Sequence, residues 1–268
     1  MRLLAISLVV LLAPSLLAAP PRARQVDKRA LEALERADKL VYRPVEQGLK
    51  DITFTFDVMT REGKLTCLLL YRSASGDLPA REKWSVKNID DKSKRRRFAA
   101  GLREYHDIAT YPLFAKSFIE EGTGKMDINW LESSRGGCTV IEHPKPPVGK
   151  ESERQVGLDR LGFLWNADGL PSEIVRSVWR EDPDEGIFRE EFTASYDWQQ
   201  YGKYWAISLV NSDFTGFRIL AKYEYKEVKG FLLPSVITRI NPMEGEDRLP
   251  INDLRVNEGI SDEEFARW

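Results

Sequence analysis

FRILAKYEYKEV at residues 217–228 and FLLPSVITRI at residues 231–240 are separated by only Lys229 and Gly230. In the first segment Phe217, Ile219, Ala221, Tyr223 and Tyr225 fall on one side of an extended chain. Arg218, Lys222, Glu224 and Lys226 fall on the other. A period of two, apolar on one face and charged on the other, describes a strand whose sheet is covered on one side and wet on the other. Two residues between such segments leave room only for a tight hairpin, so the neighbours are antiparallel. Gly230 and Pro234 read as turn and edge-strand geometry.

The same rhythm extends outward. LDRLGFLW (158–165) runs to the turn Asn166-Ala167-Asp168-Gly169, and SEIVRSVW (172–179) runs to an acidic turn, EDPDEG. GIFREEFTASY (186–196), KYWAISLVN (203–211) and LPINDLRVN (249–257) follow the same pattern. Near the other end, Ile52, Phe54, Phe56 and Val58 alternate with Asp51, Thr53, Thr55 and Asp57. LTCLLLY (65–71), REKWSVKN (81–88) and GCTVIEH (137–143) give further strands, and HPKPPVGKESER (143–154) reads as a polar loop. Two regions are helical instead. From Asp27, Leu31, Leu34, Leu40 and Val41 recur at helical spacing, with a capping residue before them and Pro44 beyond. Residues 91–121 return to that spacing at Phe98, Leu102 and Tyr105, then at Leu113, Phe114 and Phe118 past an expected break at Pro112. The fold class is therefore mainly β (α+β), about ten antiparallel strands with a few helices, as a single domain over 25–268.

MRLLAISLVVLLAPSLLAAP has one positive charge, an apolar run and small residues at Ala18 and Ala19, the anatomy of a secretory signal peptide over 1–19. Pro14 interrupts the run, which is short for a bilayer span. The expected mature chain is exported and soluble. Its 40 basic and 42 acidic residues nearly cancel, so no global field recruits nucleic acid. Two cysteines and two histidines are too few for a zinc ribbon or a multi-histidine metal centre. Export allows a disulfide between Cys67 and Cys138, and closing a loop of about 70 residues would stabilise by roughly 4 kcal/mol. Two buried thiols are the alternative.

The terminal segments carry a resemblance. Tyr225, Val228, Gly230, Leu233, Pro234 and Ile237, followed by Val256, Asn257, Ile260, Asp262 and Phe265, match the closing hairpin and final strand of periplasmic outer-membrane lipoprotein-sorting proteins, the LolA/LolB-like family. The signal peptide, amphipathic helix and aromatic strand at 49–59 also resemble the start of such chains, and N-A-D-G-L-P resembles one of their hairpins. The resemblance covers the C-terminal hundred residues and the first sixty of the mature chain. It implies an open, curved antiparallel half-barrel in a periplasmic protein, with helices covering the concave face and acyl chains held beneath them. Family members carry an Arg-Pro pair after the second strand, whose Arg holds the lid closed. Here Arg72 stands near that place, but Ser73 follows it. A guanidinium can reach several backbone carbonyls, so Arg72 is a candidate lid contact; a solvent-facing strand-end arginine is the alternative.

The expected function is a non-catalytic, monomeric carrier without cofactor or metal, binding lipid or lipoprotein acyl chains and making transient membrane or envelope-protein contacts. Candidate lining residues are Ile52, Phe54, Phe56, Val58, Trp205, Ile207, Leu209, Phe217, Ile219 and Tyr223. Ordinary core packing is the alternative for each. A periplasmic sensor or assembly module binding a protein partner is the competing function. No G-x-S-x-G elbow marks a hydrolase. KSKRRRF at 92–98 reads as a solvated helix start or, failing that, as a face for anionic lipid headgroups.

Overall fold

In the computed structural model, alternating segments become strands, each antiparallel to its sequence neighbour within a sheet. It describes residues 25–74, 80–115, 117–119, 126–133, 136–142, 157–182, 186–214, 217–241 and 245–268. The strands are β1 (Asp51–Thr60), β2 (Gly63–Arg72), β3 (Arg81–Val86), β4 (Asp127–Ser133), β5 (Gly136–Glu142), β6 (Gly157–Trp165) and β7 (Pro171–Asp182). They continue as β8 (Gly186–Tyr201), β9 (Tyr204–Phe214), β10 (Phe217–Val228), β11 (Phe231–Asn241), β12 (Gly245–Pro250) and β13 (Asn252–Val256). The helices are α1 (Lys28–Leu40), α2 (Lys92–Gly101), α3 (Arg103–Phe114) and α4 (Asp262–Arg267). The expected signal peptide and the loop at 143–154 lie outside the described residues.

Strands β4 to β12 form a nine-stranded meander, and β3-β2-β1-β13 form a four-stranded sheet. Only Ile251 separates β12 from β13, and its N–H donates to the Ser235 carbonyl at 2.9 Å. One bent chain segment thus passes from one sheet into the other, and the wall is an open curve that ends at β3 and at β4, where Ile128 bridges to Val26. The hairpin joining β10 and β11 turns on Lys229 (φ 52°) and Gly230 (φ 81°). Positive φ at both central residues is the turn whose twist matches the flanking strands, and glycine adopts it without strain.

Two helices share the main core with these strands. Helix α1, capped by the Asp27 carboxylate on Ala30 N–H, buries Ala30, Leu34 and Ala37. Both its ends are tied by backbone bonds: Asp27 N–H donates to Ile128 on β4, and Tyr42 N–H donates to Trp205 on β9, each at 2.8 Å. The helix therefore spans the curve from the edge strand inward. Its Asp38 carboxylate accepts from the Phe118 and Ile119 N–H groups and from the Ser117 hydroxyl, joining α1 to the segment after α3. Helix α3 buries Tyr105, Ile108, Ala109 and Leu113.

Three expectations are corrected. Pro112 does not end the helix; α3 runs through it to Phe114. Proline removes the N–H that would serve the carbonyl four residues earlier. That carbonyl belongs to Ile108, and the Tyr223 hydroxyl on β10 donates to it at 3.1 Å. The closing segment is not one strand: it bends at Ile251, and beyond Asn257 it forms α4, with a capping box between Ser261 and Glu264. Residues 127–133, not read as extended, form β4.

Replacing Tyr223 with Phe should cost about 1–3 kcal/mol of unfolding free energy, the penalty for an unserved buried carbonyl. In a Pro112→Ala background, where residue 112 regains its N–H, the same replacement should cost at least about 1 kcal/mol less. Chemical denaturation of the four proteins measures the difference. Equal losses in both backgrounds would contradict the pairing.

Candidate functional site

Register decides which side chains meet beneath α3. One row across the sheet reads Tyr196, Val210, Ala221, Arg239 and Asp247 on β8 to β12. A neighbouring row places Ile174, Ala194 and Ser212 together on β7, β8 and β9. Alanine and serine at Ala194, Ser212 and Ala221 stand where bulky residues would have reached the helix. The space they leave is a cavity of about 420 Å³. Its walls are Ile108 and Tyr111 of α3 over Ile174, Phe192, Ala194, Tyr196, Val210, Ala221 and Tyr223. Glu104, Asp107 and Arg176 add charge to the same lining.

The phenols link cover to floor. Tyr111 and Tyr196 hydroxyls lie 2.6 Å apart, with their rings stacked. Tyr223, wholly buried, holds the Ile108 carbonyl, and burial raises its pKa above the ordinary phenol range. At the end of the first row Arg239 is only 2 % exposed. Its guanidinium pairs with Glu104 of α3 and with Asp247 of β12, which also accepts from the Tyr105 hydroxyl at 2.6 Å. A buried guanidinium is tolerable only with such partners, so this cluster fixes the start of α3 against the sheet.

A second ionic link joins α3 to β3. His106 is buried; its Nε2 lies 2.6 Å from Glu82 and its Nδ1 lies 2.7 Å from Asp107. Trp84 packs edge-on against the imidazole. Burial alone would lower the histidine pKa, but the hydrogen bonds to Glu82 and Asp107 together outweigh it and raise the value. Glu82 is lowered, first by its bond to His106.

The expected lining residues fare differently. Ile52, Phe54, Phe56 and Val58 point inward and are at most 2 % exposed. Ile52 and Phe54 meet Ala109 and Leu113 of α3 across a gap of only about 10 Å³, so they pack the core and line no usable cavity. Tyr223 does line the large cavity. Ile207 is buried, and its carbonyl accepts from the Tyr225 hydroxyl; Trp205 is half-buried near the end of α1. Leu209 lies on the outer face. A bulge opposite Asp197 and Trp198 puts Ser208 out of step, so Leu209 pairs with exposed Asp197 and Lys222. Phe217 and Ile219 lie on β10 opposite Phe214 and Ser212, and their side chains are outside the described residues.

Arg72 is not a lid contact. It donates to the Ile260 carbonyl at 2.9 Å and to Asp262 at 2.8 Å, and it stacks over Phe265. The pleat requires this, because Arg72 shares a face with Leu68 and Leu70, whose own cluster includes Ile260 and Phe265. Both thiols are free. Cys67 faces inward opposite Phe56, and burial pushes its thiol up to about 12. Cys138 sits between Leu131 and Leu164, alternating with buried Thr139, and so faces outward.

No family model and no curated protein matches this chain. Two crystal structures are similar to it. One, described as an outer membrane lipoprotein-sorting protein domain from Vibrio parahaemolyticus, is 12 % identical; the match covers 89 % of this chain and 97 % of that one, with a TM-score of 0.29. The other, a LolA superfamily protein from Nitrosomonas europaea, is 11 % identical over 87 % and 96 %, with a TM-score of 0.30. The half-barrel architecture itself rests on this chain's own strand order and register.

The His106–Glu82 pair sets a pH window for the cover. The raised histidine contributes stability fully below its unfolded value of 6.5, lost as pH rises through the folded value. The lowered glutamate contributes above its unfolded value of 4.5, lost as pH falls through its folded value. Their joint contribution should therefore peak between about pH 4.5 and 6.5. Thermal melts of the wild type and His106→Gln across pH 4–9 should differ most inside that window and least above it. A constant difference would refute the pairing.

Proposed function

We propose that this chain is an exported, non-catalytic carrier that holds the apolar part of a lipid-like ligand between α3 and strands β7–β10. The observation that supports the reading is the cavity beneath α3. Its volume falls within the ~300–1,000 Å³ of small-molecule sites, and most of its wall is aliphatic or aromatic. Affinity there needs no reactive group, since each buried methylene contributes about 0.8 kcal/mol. The charged side chains of Glu104, Asp107 and Arg176 offer polar contacts to a headgroup, while Ile174, Phe192, Val210 and Ala221 accept the chain. The reading places the protein in the periplasm as a monomer. Its task there is outer-membrane lipoprotein sorting or lipid transfer, with transient contact to a membrane or envelope protein.

Delipidated protein titrated with a fluorescent fatty acid tests this directly, with native mass spectrometry of the freshly purified protein beside it. Ala221→Leu and Ala194→Leu each add bulk where the small residues leave room. Each should weaken binding at least about tenfold, equivalent to about 1.4 kcal/mol, while circular dichroism stays unchanged. Val58→Ala, at a packed position on β1, should change affinity less than about twofold. Absence of binding by the wild type, or equal affinity in the filled variants, would remove the carrier reading.

A further inference from the structure

Helix α2 presents an unusual combination. Lys92, Lys94, Arg96 and Arg97 are all exposed and, with Ser93, Ala100 and Gly101, make up its solvent-facing arc; no carboxylate lies on the helix. Lys92 and Lys94 stand in the first turn, where the backbone dipole is already positive, so both are placed against the local field. No residue of α2 is fully buried. The helix is held instead by contacts beneath it. Trp84 donates to the Ala99 carbonyl, and Arg95 turns inward to the Ile89 carbonyl and the Trp268 ring. Neither the core nor local electrostatics accounts for four cations on this arc.

The acids nearby are engaged or turned away. Asp91 caps the helix through Lys94 N–H, Glu82 serves His106, and Asp107 pairs with Arg103 and His106. Asp90 precedes the cap on the loop, and Lys92, Lys94, Arg96 and Arg97 have no carboxylate partner among the described residues. A groove of about 330 Å³ between α2 and β3 brings Lys83 and Arg103 to the same side, beside Trp84 and Trp268. Leu102 closes α2 and opens α3, so this cationic face is one residue from the helix that covers the cavity.

We infer that α2 is a docking face for a bilayer surface rich in anionic phospholipid. The net charge of the chain is −2, so attraction would rest on this local cluster and would orient the molecule with the α2–α3 junction toward the membrane. The face is polar apart from Ala100 and Gly101, which suits a headgroup layer more than the hydrocarbon beneath it. The carrier reading supplies the purpose of such docking, but the docking itself is measurable without cargo.

Cosedimentation of delipidated protein with phosphatidylglycerol–phosphatidylcholine vesicles, against phosphatidylcholine alone, is the test. Binding should require the anionic lipid and weaken steeply with salt. Arg96→Glu/Arg97→Glu should reduce it at least about twenty-five-fold, about fivefold for each cation removed, with the two added carboxylates weakening it further. Lys222→Glu/Lys226→Glu, the same charge change on the exposed face of β10, should reduce it by less than half. Equal loss from both variants, equal binding to both vesicles, or tighter binding to duplex DNA than to anionic vesicles would each overturn the assignment. Loss of fatty-acid binding with vesicle binding intact would fault the carrier reading alone.

Discussion

The bond from the Tyr223 hydroxyl to the Ile108 carbonyl is small, yet the arrangement over the sheet depends on it. Pro112 gives α3 a carbonyl that the helix cannot serve itself, and the nearest donor stands on β10. A helix with one open acceptor in its buried face can dock in few ways that satisfy it. The docking chosen sets Ile108 and Tyr111 over Ala194, Ser212 and Ala221, and this juxtaposition leaves the cavity. The Tyr111–Tyr196 contact and the Arg239 cluster then hold the helix at two further points.

The polar groups around α3 differ in what their burial costs. The hydroxyls of Tyr223 and Tyr196 are neutral donors, which lose least on burial. The guanidinium of Arg239 is as deeply buried at a higher cost, and Glu104 and Asp247, which keep partial contact with water, compensate it. His106 lies farther along the same helix and changes charge within an ordinary pH range. The helix is thus held by neutral hydroxyls, by a buried ion-pair cluster and, at His106, by a group whose charge depends on pH.

Much of this was legible in the sequence, for identifiable reasons. Strand periodicity reports directly which face is covered, so the meander and the hairpin at Lys229–Gly230 could be read from residue order alone. The capping pattern at Ser261–Glu264 was also present, but the resemblance to a closing strand hid α4. The site was much less legible. Large apolar residues on inward faces were natural lining candidates, but Phe54 and Phe56 fill the space they face. A cavity lies where side chains are small, and Ala194, Ser212 and Ala221 give no signal until register aligns them. The bulge beside Ser208 that turns Leu209 outward has no sequence signature either. Arg72 was hidden for another reason: LTCLLLY is apolar on both sides, so parity with Leu68 and Leu70 assigns no face until Ile260 and Phe265 are seen to pack there.

Helix α1 has a mechanical meaning as well. Bonded at one end to β4 and at the other to β9, it subtends five strand spacings, an arc of about 24 Å at about 4.8 Å each. Its 13 residues make a rod of about 20 Å. A stiff rod tied to two strands of one sheet acts as a bowstring, and the sheet is the bow. Its curvature is then gauged by the number of helical turns between two backbone bonds. Adding one turn would lengthen the string by about 5.4 Å and relax the bend, enlarging the space beneath the helices without touching a residue that lines it.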